Sequence, residues 1–69
     1  MDHMTLGERL AISRKRANVT QDDLATAVNV SAGTIGNWER GIADIPFSKA
    51  CMVADRLGVS LDELAGRSR

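Results

Sequence analysis

The chain has little of what active sites and membrane spans are built from. Its 69 residues include one cysteine, one histidine, one proline, one phenylalanine, one tryptophan and no tyrosine. The lone Cys51 excludes an internal disulfide and fits a reducing compartment. His3 stands near the start with no cysteine or second histidine at ligand spacing, so no metal site is expected. No apolar run reaches the length of a membrane span, and no secretory pattern opens the chain. No glycine-rich loop follows a strand pattern, and the folded part holds no histidine to serve as a general base. An enzyme, a cofactor and a small-molecule pocket are therefore not expected. With so few aromatics the core must be aliphatic, and the length allows one domain with a small core.

An excess of positive charge is also missing. Nine Lys and Arg balance nine Asp and Glu, which is not the basic composition typical of a nucleic-acid binder. The placement is uneven, however. Arg9, Arg14, Lys15 and Arg16 crowd the first helical stretch, while Asp22 and Asp23 open the second, where a helix N-terminus favours acids in any case. Attraction to a polyanion, if there is any, must be local.

What is present is a series of helix signals. Thr5-Leu-Gly-Glu8 reads as a capping box opening a first helix that runs to about Ala17, with Leu6, Leu10 and Ala17 inward. Arg14 lies one turn from Leu10, close to that apolar stripe, and so requires a partner. Val19 plugs the following turn. Thr20-Gln-Asp-Asp23 is a second, weaker box, opening a helix from Gln21 to about Asn29 with Leu24, Ala25 and Val28 on one face. Asn29, Val30 and Ser31 then form a very short corner: Asn suits a left-handed helix end, Val30 plugs it, and Ser31 suits the next N-cap. A third helix runs from about Ala32 to Arg40, with Ile35 and Trp38 inward, and Gly41 ends it. Two helices joined this tightly are a helix-turn-helix over about residues 21–40.

After Ile42-Ala-Asp-Ile45, Pro46 precedes a fourth helix whose apolar positions are Phe47, Ala50, Cys51, Ala54 and Leu57. Gly58 closes it, and Ser60-Leu-Asp-Glu63 is a third capping box opening a short fifth helix. The expected fold class is all-α, with five helices over residues 5–65 and flexible termini at 1–4 and 66–69. The expected core is Leu6, Leu10, Leu24, Val28, Val30, Ile35, Trp38, Phe47, Cys51, Ala54, Leu57, Val59 and Leu64. Leu61, Leu64, Ile42 and Ile45 either complete that core or form an apolar dimer patch.

Leu6-Gly-Glu-Arg-Leu10, Thr20-Gln21, Leu24-Ala25, Val30-Ser31, Thr34-Ile35, Trp38-Glu-Arg-Gly41 and Leu57-Gly-Val-Ser-Leu-Asp-Glu-Leu64 together resemble the lambda-type repressor and Cro family, also called XRE-like. The resemblance covers nearly the whole chain. It implies a five-helix, lambda-repressor-like domain that binds double-stranded DNA as a dimer on a two-fold operator, with the third helix in the major groove. It further implies that Gln21 donates to a phosphate and braces the third helix, and that Arg14 and Glu39 form an internal salt bridge. Dimerisation is implied through the fifth helix, by Leu61, Leu64 and nearby apolar residues.

On that reading the third helix presents Ala32, Gly33, Thr34, Gly36 and Asn37 to the groove. Asn37 is the best reader, since its amide can pair bidentately with adenine N6 and N7. Lys15, Arg16, Gln21, Ser31 and Arg40 are the expected backbone contacts, which position without specifying. Two departures from the family stand out: Gly33 and Gly36 supply no side-chain contact, and the loop after Gly41 is not basic, so affinity per protomer is expected to be modest. The function expected is a cytoplasmic, nucleoid-associated transcriptional repressor or controller of bacterial or phage type. An adaptor or antitoxin-like partner binder on the same fold is the alternative that the neutral charge keeps open.

Overall fold

Four of the helices begin on a hydroxyl that the sequence places one residue ahead of them. The structure, a computed structural model, describes residues 4–67. Among the described residues it holds five helices and no strand: α1 (Leu6–Arg16), α2 (Gln21–Val28), α3 (Ala32–Glu39), α4 (Phe47–Leu57) and α5 (Leu61–Ala65). All three capping boxes form. The Thr5 and Ser60 amides donate to Glu8 and Glu63 at 2.8 and 2.9 Å, whereas the Thr20 amide reaches Asp23 at 3.5 Å. The shorter aspartate side chain cannot fold back as far. Ser31 caps α3 without an acid, its hydroxyl accepting from the Thr34 amide at 3.1 Å.

The helix ends are equally local. Asn18 and Asn29, at φ 59° and 62°, turn the chain out of α1 and α2 in the left-handed region, which asparagine tolerates because its short amide can bond nearby backbone. The corner after Asn29 is closed by the Val30 amide donating to the Ala25 carbonyl at 2.9 Å. Lys49, on α4, donates its Nζ to the Val28 carbonyl at 2.8 Å. That ties the C-terminal end of α2 to α4 and satisfies a carbonyl the helix leaves unpaired.

The core is aliphatic, as the composition requires. Leu10, Val19, Leu24, Ala25, Val28, Ile35, Trp38, Val53, Ala54, Leu57 and Leu64 are buried, with Val30, Ala32, Ile45 and Val59 packed against them. Helix α2 packs on α3 and α4, and α1 packs on α3 and α5. Two expected core positions, and one expected only to face inward, lie elsewhere. Leu6 is 42% exposed and Phe47 75% exposed, and Ala17 is exposed as the cap residue of α1. Leu6 and Phe47 are each the first residue of their helix, and side chains there lean back past the helix end, where no neighbour waits. On α4 the buried stripe is Val53, Ala54 and Leu57, with Ala50 half-buried. The inward face is thus rotated away from Phe47, and Cys51 lies at its edge, half-buried rather than sealed.

His3, and the segments 1–3 and 68–69 expected to be flexible ends, lie outside the described residues. No helix among the described residues is long and apolar enough to cross a membrane.

Candidate nucleic-acid interface

The geometry of the helix-turn-helix is set by one buried cation. Arg14 points inward from the last turn of α1 and is 8% exposed. Its Nε donates to Glu39 Oε2 at 2.7 Å, and its Nη2 donates more weakly to Oε1 at 3.3 Å. Its Nη1 donates to the Val19 carbonyl at 3.0 Å. Glu39 is the last residue of α3, so the pair fastens the end of that helix to α1. Gln21, the first residue of α2, completes the cluster by donating Nε2 to Glu39 Oε1 at 2.9 Å. One carboxylate therefore gathers donors from α1 and α2. No buried side-chain polar atom among the described residues lacks a partner, which is the condition under which a buried ion pair is tolerated.

Gly7 reinforces the same joint. A Cβ built on it would lie 2.5 Å from the Glu39 carbonyl oxygen and closer still to that of Trp38, so α1 touches the backbone at the end of α3. Gly7 lies within Leu6-Gly-Glu-Arg-Leu10, where the sequence gives it no separate role. Its signal is a glycine at the second position of a helix, where alanine is intrinsically better.

Held at its C-terminal end, α3 leaves its first turns towards solvent. Gly33 is exposed, and a Cβ there would meet nothing nearer than Ser31 Oγ at 3.8 Å. Ala32 is half-buried against the core, so its methyl is only partly on offer. The Thr34 hydroxyl sits 3.0 Å from that of Ser31. Asn37 is half-buried one turn further on, and exposed Arg40 donates Nη2 to Asn37 Oδ1 at 2.9 Å. Gly36, expected to face the groove bare, is buried instead. The nearest atoms to a Cβ there belong to the Arg40 guanidinium, from 3.4 Å. Arg40 thus roofs Gly36, a contact that the i, i+3 spacing of Asn37 and Arg40 makes legible in retrospect.

Lys15 and Arg16 are exposed at the end of α1. Lys15, Asn18, Thr20, Gln21 and Asp22 line a shallow groove between that end and the start of α2. The amide of Gln21 is already committed to Glu39, so the bracing half of its expected role has a partner in this structure. Leu6, Phe47 and Leu61 edge a mostly apolar groove that Ile45, Ala50, Leu64 and Ala65 also line, with Asp62 and Arg67 beside them. Leu64, expected to share a dimer face with Leu61, is 2% exposed and belongs to the core, because it packs inward where α5 meets α1. Leu61 is 36% exposed.

A family model described as helix-turn-helix matches residues 10–64. The transcriptional repressor RstR of the cryptic phage CTXphi, from Vibrio cholerae, is 36% identical over 64 residues, which cover 93% of this chain and 57% of the relative. The HTH-type transcriptional regulator ImmR of Bacillus subtilis is 31% identical over 64 residues, covering 93% of this chain and 50% of ImmR. The chain therefore spans about half the length of these two relatives. Among solved structures, the P22 c2 repressor in complex with a synthetic operator superposes with a TM-score of 0.85 at 28% identity, covering 94% of this chain and 98% of that one. The solution structure of the DNA-binding domain of the same repressor also gives 0.85, at 30% identity over 93% and 84% of the two chains.

Proposed function

The chain belongs to the helix-turn-helix family, and on that premise we propose that it is a sequence-specific DNA-binding transcriptional regulator of the repressor type, with no catalytic step. The observation that carries the reading is the Arg14–Glu39–Gln21 cluster, which fixes one end of α3 against α1 and α2 while the first turns of α3 stay clear. A rigid helix with an open leading end is what major-groove insertion requires. Support also comes from the P22 repressor, whose structure with an operator has the same fold.

Asn37 is the principal base reader in this proposal, with Gly33 and Thr34 allowing close approach and Ala32 at the rim. Lys15 and Arg16 supply charge for phosphates, and Ser31 and the start of α2 help to seat the backbone. Lys15 and Arg16 imply about four neutralised phosphates per dimer, so affinity should fall on the order of 100-fold between 50 and 200 mM salt. Selection of bound duplexes from a random pool, followed by titration at several salt concentrations, tests the reading. Asn37→Ala should relax base preference at one position of the half-site and weaken the selected duplex by about 1–3 kcal/mol, while leaving the salt slope unchanged. Binding that ignores salt and prefers no duplex would instead move the function to a protein partner.

A two-fold site requires two protomers, and the exposed apolar face of Leu6, Phe47 and Leu61 is the surface proposed for their contact. Leu64, 2% exposed, lies beneath that face as part of the core. Phe47→Ser should leave the melting temperature of the monomer within about 4 °C, since so exposed a side chain contributes little to the core. It should also abolish dimers in analytical ultracentrifugation. A variant that dimerises like the parent would rule this face out.

A further inference from the structure

On that DNA-binding reading, we infer that Asn37 and Arg40 act as one base-reading unit, in which Arg40 sets the hydrogen-bonding character of Asn37 and turns its preference from adenine towards guanine. A guanidinium carries donors and no acceptor, so the Asn37 atom that faces Arg40 Nη2 at 2.9 Å must be the amide oxygen. That fixes the amide flip: Oδ1 turns towards Arg40 and Nδ2 turns away from it. Gly36 makes the arrangement possible. With no side chain there, the guanidinium can lie over Gly36, its nearest atom 3.4 Å from where a Cβ would stand.

The consequence is a surface rich in donors. An unpaired asparagine offers one acceptor and one donor in the pattern of the adenine edge, N6–H and N7. Paired with Arg40, the amide has part of its acceptor capacity occupied, and it lies beside several guanidinium N–H groups that have no acceptor among themselves. The base edge that presents two adjacent acceptors and no donor in the major groove is guanine, through N7 and O6, whereas thymine offers the single acceptor O4 beside a methyl group. Exposed Arg40 is therefore a specificity-determining residue and a positioning residue for Asn37, not a phosphate anchor.

The test compares the parent chain, Arg40→Ala and Arg40→Lys by selection from a random duplex pool, with the Asn37 side-chain amide followed by NMR in the DNA-free protein. The parent should select guanine at one half-site position. Arg40→Ala should shift that same position towards adenine, changing the guanine-to-adenine ratio by about 10-fold or more. Arg40→Lys keeps the charge but not the flat fork of donors, so it should lose guanine preference while keeping the salt dependence of the parent. The Asn37 amide signals should move in both variants without DNA. If those signals stay in place, or if all three proteins select the same bases and Arg40→Ala merely flattens the salt slope, Arg40 is a backbone contact and the inference is overturned with DNA binding intact. A parent chain that selects no duplex at all overturns the DNA-binding reading, and this inference with it.

Discussion

Gly7→Ala should destabilise the domain by about 3 kcal/mol or more, although alanine is the better helix former by about 1 kcal/mol. The added methyl would enter the space occupied by the Trp38 and Glu39 carbonyls, 2.5 Å from the oxygen of the latter. Overpacking typically costs about 1–3 kcal/mol when side chains can give way. Here the obstacle is main chain at the end of α3, so relief requires α1 and α3 to separate. A domain of this size has on the order of 3 to 10 kcal/mol in total, and the melting temperature should fall by roughly 12 to 24 °C or folding should be lost. Gly33→Ala is the control, since its Cβ would enter open space. It should stabilise the fold by about 0.5–1 kcal/mol. Thermal unfolding followed by circular dichroism reads both, and equal or same-sign shifts would mean that the α1–α3 joint is looser than described.

The contrast between those two glycines shows what was legible in the chain and what was not. Features encoded within four residues could be read directly: the three capping boxes, the Asn29 corner, the Ser31 cap and the order of five helices. Arg14 is legible as a problem from its place near the apolar stripe, and the family resemblance implies Glu39 as its partner, which lies 2.7 Å away. Gly7 and Gly33 look alike in sequence, because nothing local reports that a backbone from 30 residues further on passes over one of them and not the other. Phe47 is expected inward and is exposed, while Val53 is buried, for a related reason. The two lie about 120° apart round α4, and only the position of α2 and α5 decides which side of the helix is covered. Lys49 capping Val28 is a side-chain choice made after the helices have packed, whereas Arg40 over Gly36 is a contact within four residues of chain.

Glu39→Ala should be at least as damaging as Gly7→Ala, and its repair separates stability from function. Removing the carboxylate leaves Arg14 buried with only the Val19 carbonyl to receive its donors, and leaves Gln21 unpaired. Stranding one partner of a buried pair costs about 3–5 kcal/mol, enough to unfold much of so small a domain at 37 °C. The double variant Arg14→Met with Glu39→Leu removes both charges together, so the stranded-charge penalty disappears. What remains is a Val19 carbonyl that has lost its side-chain donor, worth about 1–3 kcal/mol, and a half-buried Gln21 amide without its acceptor, a loss shared with Glu39→Ala. The double variant should therefore be folded and markedly more stable than Glu39→Ala. If the ion pair serves mainly to hold α3 at one angle, this folded protein should still bind its selected duplex at least 10-fold more weakly than the parent, because apolar packing admits several angles where a forked Arg–carboxylate contact admits one. A double variant with full affinity would show that the pair merely fills its site, and that the angle of α3 is fixed by Gly7, Ile35 and Trp38 alone.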